Sequence, residues 1–574
     1  MSFGAIRSIA TSALMASQAR IQVTSSNIAN ADVDGYSRKS AVQVATTAGS
    51  VGTGTTVVAV TSAVNKYLLA DLVSATSLLG AAQVTDAKAD ALQALFGSTT
   101  SSDGSGTSLS DTLTSLETAI ASLAGTPESS TLNGLAVQSL DAVAAQLRET
   151  SSGIQKLRAA ADSEIGDAVE TVNSALDTIA ELNIRIVAAK ALGQSTADLE
   201  DQRNSALLQI SSQIDVSYKV SSSGAMLIST GSGTTLLNGA VHHLSYTPAA
   251  VVTAGTTFAG ITVDGTDVTA QLSSGRIGAL IEQRDEVLPA AQDMLDTLAA
   301  SLIDALNTAH NAASALPAPT TLSGTTAVAA SDALDASGTL RLVLTNADGT
   351  TISATDLDLS GIGTVGDLVE ALNGISGLNA SIASGKLVIT SSDGNGVALA
   401  DIDSAIGGKG VSDYFGLNDL LTGTDASTIR VRSDILSGKA ALATATLDTT
   451  STLTAGTRAL TNSASAVQAI TDLFSGERSY AASGGLGATS ASFSGYAARI
   501  VSAVATDAST AAKALERRQS TYDSASDALT SETGVNVDEE TARLSELEQQ
   551  YSTAAQLLSV LNDMFEALLA AARS

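Results

Sequence analysis

Residues 544–572, LSELEQQYSTAAQLLSVLNDMFEALLAAA, place Leu544, Leu547, Tyr551, Ala554, Leu558, Leu561, Phe565, Leu568 and Ala572 at alternating spacings of three and four. That a/d pattern predicts a helix packed lengthwise against another helix. At about 1.5 Å per residue, a helix from Asp538 to Arg573 spans roughly 50 Å. The first residues carry Ile6, Ile9, Ala13, Leu14, Ile21 and Ile28 at helical spacings. Chain ends fray unless tied down. Two apolar terminal helices therefore predict burial against a partner, each the nearest candidate for the other, and an assembly subunit rather than an enzyme.

Between the ends, periodicity sorts the chain. A helix over residues 2–28 gives way to a turn composition, NADVDG, and then to an extended stretch with Val42, Val44, Val57, Val58 and Val60. Helical stripes follow at 67–96 and, after the Ser/Gly loop GSTTSSDGSG, at Leu109–Leu123. A very long apolar period then runs from Leu140 to Ile186, longer than an ordinary globular helix. Short strands and turns occupy about 215–265, and a helix from Arg276 must kink or restart at Pro289. Past the Pro-rich ALPAP, residues 320–429 read as β-rich, with a hairpin turning at Asp348-Gly349. Helices return through Leu460, Val467 and Ile470, and again from Phe493 to Leu515.

The expected fold is α+β and multidomain: a long-helix bundle core, paired N- and C-terminal coiled-coil helices, and an inserted β-rich outer domain. Expected boundaries are 1–45 for the N-terminal axial segment, pairing with 531–574. A helical core occupies 46–316, with a small β region at 215–275, and is completed by 432–530. The outer insert is 317–431.

Composition narrows the chemistry. Net charge is −29, which disfavours nucleic acid and anionic membranes as partners. No apolar run reads as long enough to span a bilayer, and Arg7 and Arg20 interrupt any secretory h-region. Cysteine is absent, which suits the cytosol or an export route without oxidative folding. Three histidines leave little scope for catalysis or metal binding. His242 and His243 read as a strand-end polar pair, because adjacent residues rarely aim at one ion. His310 reads as a packing or hydrogen-bonding residue. GIGTVG at 361–366 matches a dinucleotide-loop pattern, but only a short helix, 365–373, can follow before Gly374. Thr364 and Asp367 read better as a capping box. Asp32, Asp34 and Gly35 suggest a calcium loop, without its closing glutamate. No catalytic residue, cofactor or metal is expected.

SNIANADVDGYSR (26–38) resembles the N-terminal signature of bacterial flagellar axial proteins of the rod, hook and hook-associated class. TGVNVDEETARLSELEQQYSTAAQLLSVLNDMFEALL (533–569) is similar to the closing segment of the same class. LEDQRNSALLQIS, GRIGALIEQRDEVLP and ALNTAH match between them, in order. GYSR, rather than the GF of hook proteins, points within this class to the hook-filament junction, or hook-associated protein 1, family. In place of the family's uncharged QQAY run, this chain has ELEQQYSTAA.

The resemblance implies a structural, non-enzymatic subunit, exported by the flagellar type III route without a cleaved signal peptide. It would form a junction ring outside the cell. Implied partners are further copies of the chain, the hook protein, hook-associated protein 3, and an export chaperone at the C-terminal region. The expected interface comprises the N-terminal Ile6, Ile9, Ala13, Leu14, Ile21, Asn27, Ile28, Asn30, Gly35, Tyr36 and Arg38. From the C-terminal helix it takes Leu544, Leu547, Tyr551, Leu558, Leu561, Phe565 and Leu568. Tyr36 and Arg38 would point the chain into a neighbour. Simple helix C-capping is the alternative role for Asn27 and Asn30. Rival readings are another axial protein (hook or distal rod) and a secreted coiled-coil effector or adhesin.

Overall fold

A computed structural model describes residues 3–33, 35–48, 51–62, 64–97 and 107–573. Asp34, Ser2 and most of the Ser/Gly loop lie outside the described residues. The helices, in chain order, are α1 (Phe3–Ala29), α2 (Lys66–Leu95), α3 (Leu109–Gly125), α4 (Ser130–Ala191), α5 (Ala197–Gln213), α6 (Gly275–Glu282), α7 (Leu288–Asn311), α8 (Val365–Asn373), α9 (Val411–Phe415), α10 (Ser433–Leu436), α11 (Ala464–Ser475), α12 (Phe493–Thr533) and α13 (Val537–Arg573).

Several of these follow from local chemistry. Pro289 cannot donate to a continuing helix, and a π turn at Gln283–Val287 separates α6 from α7, with the proline in the first turn. Thr364 and Asp367 exchange side-chain and backbone bonds as a capping box at the start of α8. One expectation is corrected: Leu460 does not lie on a helix. It sits in a short strand, Leu460–Asn462, paired with Ala445–Leu447, and is fully buried there. A second correction concerns length and hydropathy. Stretches of α2 and of the C-terminal helices are long and apolar enough to cross a membrane by composition alone. Half of the α2 stretch is buried within the fold.

The chain packs as two units. The first comprises Met1–Lys88, Ala159–Arg284 and Ser509–Ser574. Its core joins Ile165, Val172, Leu176 and Ile179 of α4 to Leu207 and Ile210 of α5. A three-stranded antiparallel sheet (Val216–Val220, Met226–Thr230, Thr235–Leu237) closes over them with Ile228 and Leu237. Asp162 and Arg284 form a buried charge pair in this unit. They lie 2.8 Å apart, and Asp162 also accepts from Tyr246 Oη and the Ala249 amide. The guanidinium stacks on Phe258. With these bonds made, the pair escapes the penalty of an unpaired buried charge. At the N-terminal side, β1 (Lys39–Ala48) and β2 (Val51–Ser62) form an antiparallel ribbon with bulges after Val42 and Thr46. α1 packs along this ribbon and along α13.

The second unit comprises Ala89–Arg158 and Asp285–Ala508. Leu113, Leu116 and Ile120 of α3, Leu140 and Leu147 of α4, Leu298 and Leu302 of α7, and Tyr496 and Ile500 of α12 form its helical core. Its β portion has a three-stranded sheet centred on Thr339–Thr345, whose hairpin to Thr351–Asp358 turns at Asp348-Gly349. A second sheet runs through Thr321–Ser323, Lys386–Ser391 and Leu378–Ala383. Leu342, Leu368, Leu387, Ile389 and Phe415 share a core of their own. Residues at the end of this region, Leu420, Leu421 and Ile429, are instead buried among the helices. Arg148 anchors them by donating to the Ile429 carbonyl at 2.7 Å.

Candidate functional site

α1 ends at Ala29, where Asn30 folds back and donates from Nδ2 to the Ser26 carbonyl at 2.8 Å. That is a C-terminal capping contact, as one of the two sequence readings held. The chain then reverses through Gly35 at φ +76°, a conformation that favours glycine. A Cβ there would lie 2.7 Å from Ser205 Oγ. The turn delivers Tyr36, Ser37, Arg38 and Lys39 to two acidic anchors.

The first anchor is Glu540 in the opening turn of α13, 1% exposed. It accepts from Asn27 Nδ2 at 3.0 Å and from Arg38 Nε at 2.8 Å, and a second guanidinium nitrogen lies 2.7 Å away. Asn27, 0% exposed, also donates to the Lys39 carbonyl and accepts from the Lys39 amide and Tyr36 Oη. The Arg38 amide donates to the Thr533 carbonyl at 2.7 Å. The second anchor is Asp201 on α5, which accepts from Ser37 Oγ at 2.6 Å and from Lys39 Nζ at 2.7 Å. Asp198 lies 2.9 Å from the same ammonium, which sits over the Tyr36 ring. Burial pushes the Lys39 ammonium down, but bonds to Asp201 and Asp198 outweigh it and leave its pKa raised.

Tyr36 and Arg38, expected to point the chain into a neighbour, bond through their polar ends within the chain. Asn27 is not a simple cap but a bridge between segments more than 500 residues apart.

Beyond the network, α1 and α13 run antiparallel: Asn27 lies by Glu540, Arg20 by Gln550, and Phe3 by Phe565. Leu547 and Leu561 are buried, and Leu544, Ala554 and Leu558 half-buried. Tyr551, Phe565, Leu568 and Ala572 stay exposed, joined by Leu557, Val560, Met564 and Leu569. The seam is therefore split: part is covered within the chain and part is open. On α1, Ile6, Ile9, Ala13, Leu14, Ile21 and Ile28 are half-buried. The buried face is instead Ala10, Ala16, Ser17, Thr24 and Asn27. An apolar-only reading misses Ser17 and Thr24, because small polar side chains suit a close helix contact as well as alanine does.

Glu540, Asp201, Ser37 and Lys39 were also missed. For Glu540 a signal existed: it lies seven residues before Leu547, in phase with the seam. Asp201 had none, since only the tertiary fold brings α5 to the turn.

Elsewhere, His242 pairs with Asp264 and His243 with Asp177, so the two rings diverge. His310 is fully buried in the second unit. It accepts from the Ala443 amide on Nε2 and donates from Nδ1 to the Asn418 carbonyl. Burial lowers its pKa to about 4. Among the described residues no group of three or more His, Asp or Glu side chains is placed to hold a metal ion.

Three family models match the chain. Residues 8–36 match a flagella basal body rod protein model. Residues 90–320 match the flagellar hook-associated protein FlgK helical domain. Residues 528–571 match the flagellar basal body rod FlgEFG protein C-terminal model. Flagellar hook-associated protein 1 of Escherichia coli K12 is 24% identical, with 98% of each chain covered. Its counterpart in Bacillus subtilis 168 is 27% identical over 39% of this chain, a match spanning 45% of the Bacillus protein. The solved flagellar hook junction protein FlgK from Burkholderia pseudomallei aligns over 80% of this chain and 100% of its own, at 16% identity and a TM-score of 0.46. The end models alone describe rod-type proteins generally; the helical-domain match and the end-to-end kinship to the E. coli protein select among them. On the helical-domain match and the kinship along 98% of both chains, the chain belongs to the flagellar hook-associated protein 1 family, a family of structural, non-enzymatic components of the bacterial flagellum.

Proposed function

We propose that this chain is the adaptor subunit at the hook-filament junction, assembling outside the cell as a short ring between two polymers that do not fit each other directly. The observation that carries the reading is its kinship, along nearly the whole chain, to flagellar hook-associated protein 1. The open apolar stripe of α13 supports it: Leu557, Val560, Met564, Phe565 and Leu568 present more apolar side chain to water than a finished surface helix needs. Further copies of the chain would cover this stripe in the ring. Hook protein would bind below and hook-associated protein 3 above. Before export through the type III channel, a chaperone would cover the same C-terminal region.

The test is a clean gene deletion examined by electron microscopy. Cells should carry hooks without filaments and shed flagellin into the medium. Normal attached filaments would reject the adaptor role.

A further inference from the structure

The terminal helices share a repetitive contact. On α1, Ile6, Ala13, Arg20 and Asn27 recur every seven residues, as do Ala10, Ser17 and Thr24. On α13, Glu540, Leu547, Ala554, Leu561 and Leu568 recur every seven. Small and apolar positions of this kind look alike after a slip of one heptad, so packing alone chooses the alignment weakly. The short link from Thr533 to Val537 leaves one such slip open, in which the first turns of α13 unwind and Leu547 moves to the place of Glu540. The opposite slip stretches that link and drives a carboxylate into the site of Leu547.

We propose that Asn27 and Glu540 form a register pin, the positioning pair that selects one axial alignment of the terminal helices. A buried side-chain bond joins α1 to α13 through this pair, and both residues are sealed from water. In the open slip Asn27 would face Leu547, losing one of its acceptors where no water can replace it, and Arg38 would lose its buried carboxylate. A buried polar group left without a partner costs enough to shift the equilibrium roughly tenfold or more. Arg20 and Gln550, 3.4 Å apart and exposed, add little to this choice. The pair also explains why a polar bridge sits in an apolar seam: a leucine in either place would pack, but would not discriminate.

The chain has no cysteine, so the alignment can be read by cross-linking in the full-length protein. Arg20→Cys with Gln550→Cys reports the observed register, and Arg20→Cys with Leu557→Cys reports the open slip. With a short bismaleimide, the first pair should couple roughly tenfold faster than the second. Adding Asn27→Leu and Glu540→Leu should bring the two rates to within about twofold, while helix content by circular dichroism is retained. Glu540→Gln, which keeps an acceptor for Asn27, should retain the preference. An unchanged preference in the double-leucine variant would overturn the proposal, as would equal coupling of both pairs without it. If the double-leucine variant does not fold, Glu540→Ala serves in its place, with the same two outcomes.

Discussion

Arg38 and Glu540 are 502 residues apart in the chain and make a two-nitrogen contact, Nε at 2.8 Å and a second guanidinium nitrogen at 2.7 Å. Because Glu540 also receives Asn27, one carboxylate ties the turn after the first helix to the start of the last. Removing it leaves Asn27 short of an acceptor and Arg38 with only the more distant Glu539, at 3.7 Å. Glu540→Ala should destabilise the first unit by about 1–3 kcal/mol. Glu540→Gln should recover part of that. Urea denaturation followed by a probe on α13 measures both; equal midpoints for wild type and Glu540→Ala would refute the account.

Gly35 supplies the reversal that brings Arg38 to Glu540. At φ +76°, with Ser205 Oγ 2.7 Å from where a Cβ would lie, Gly35→Ala incurs both strain and a clash. A loss of about 1–2 kcal/mol is expected from the backbone alone. Ser205→Ala in the same chain should restore only the steric part, so the double variant should still melt below wild type.

The two faces of α13 should separate in experiment. Leu547 is 1% exposed, and Leu547→Ala should cost about 2–5 kcal/mol of chain stability. Leu568 is 64% exposed, and Leu568→Asp together with Leu557→Asp should change the melting of the isolated chain by less than about 0.5 kcal/mol. The same double variant should abolish motility if the open stripe is covered in the assembled ring. Motile cells carrying it would reject that use of the stripe.

His310 predicts a pH dependence in the second unit. Its folded pKa, about 4, lies below the ordinary 6.5 because burial disfavours the charged ring. Between these values the unfolded chain binds the extra proton, so stability rises with pH. The contribution is complete above pH 6.5 and is lost as pH falls toward 4, on the order of 3 kcal/mol in all. Denaturation of wild type and His310→Gln across pH 4–7 should show that slope in the former and its loss in the latter.

Much of this protein was legible from local sequence. The 62-residue α4, the restart at Pro289, the capping box at Thr364 and the hairpin at Asp348-Gly349 each depend on residues within a few positions of one another. Periodicity and turn chemistry report such elements directly. The family, too, was legible, because its signatures are short runs. Leu460 was misread because it lies seven residues before Val467, a helical spacing, while its pairing with Leu447 is a fact of the tertiary fold. The same limit applies at the clasp. Sequence placed apolar helices at both ends and marked Asn27, Tyr36 and Arg38. Only the folded chain decided that Asn27 and Arg38 meet Glu540, and that Asp201 joins the turn from α5. A carboxylate on a helix reads as solvent-facing until a partner hundreds of residues away encloses it. Burial and pairing are properties of the space around a side chain, and local sequence carries no record of that space.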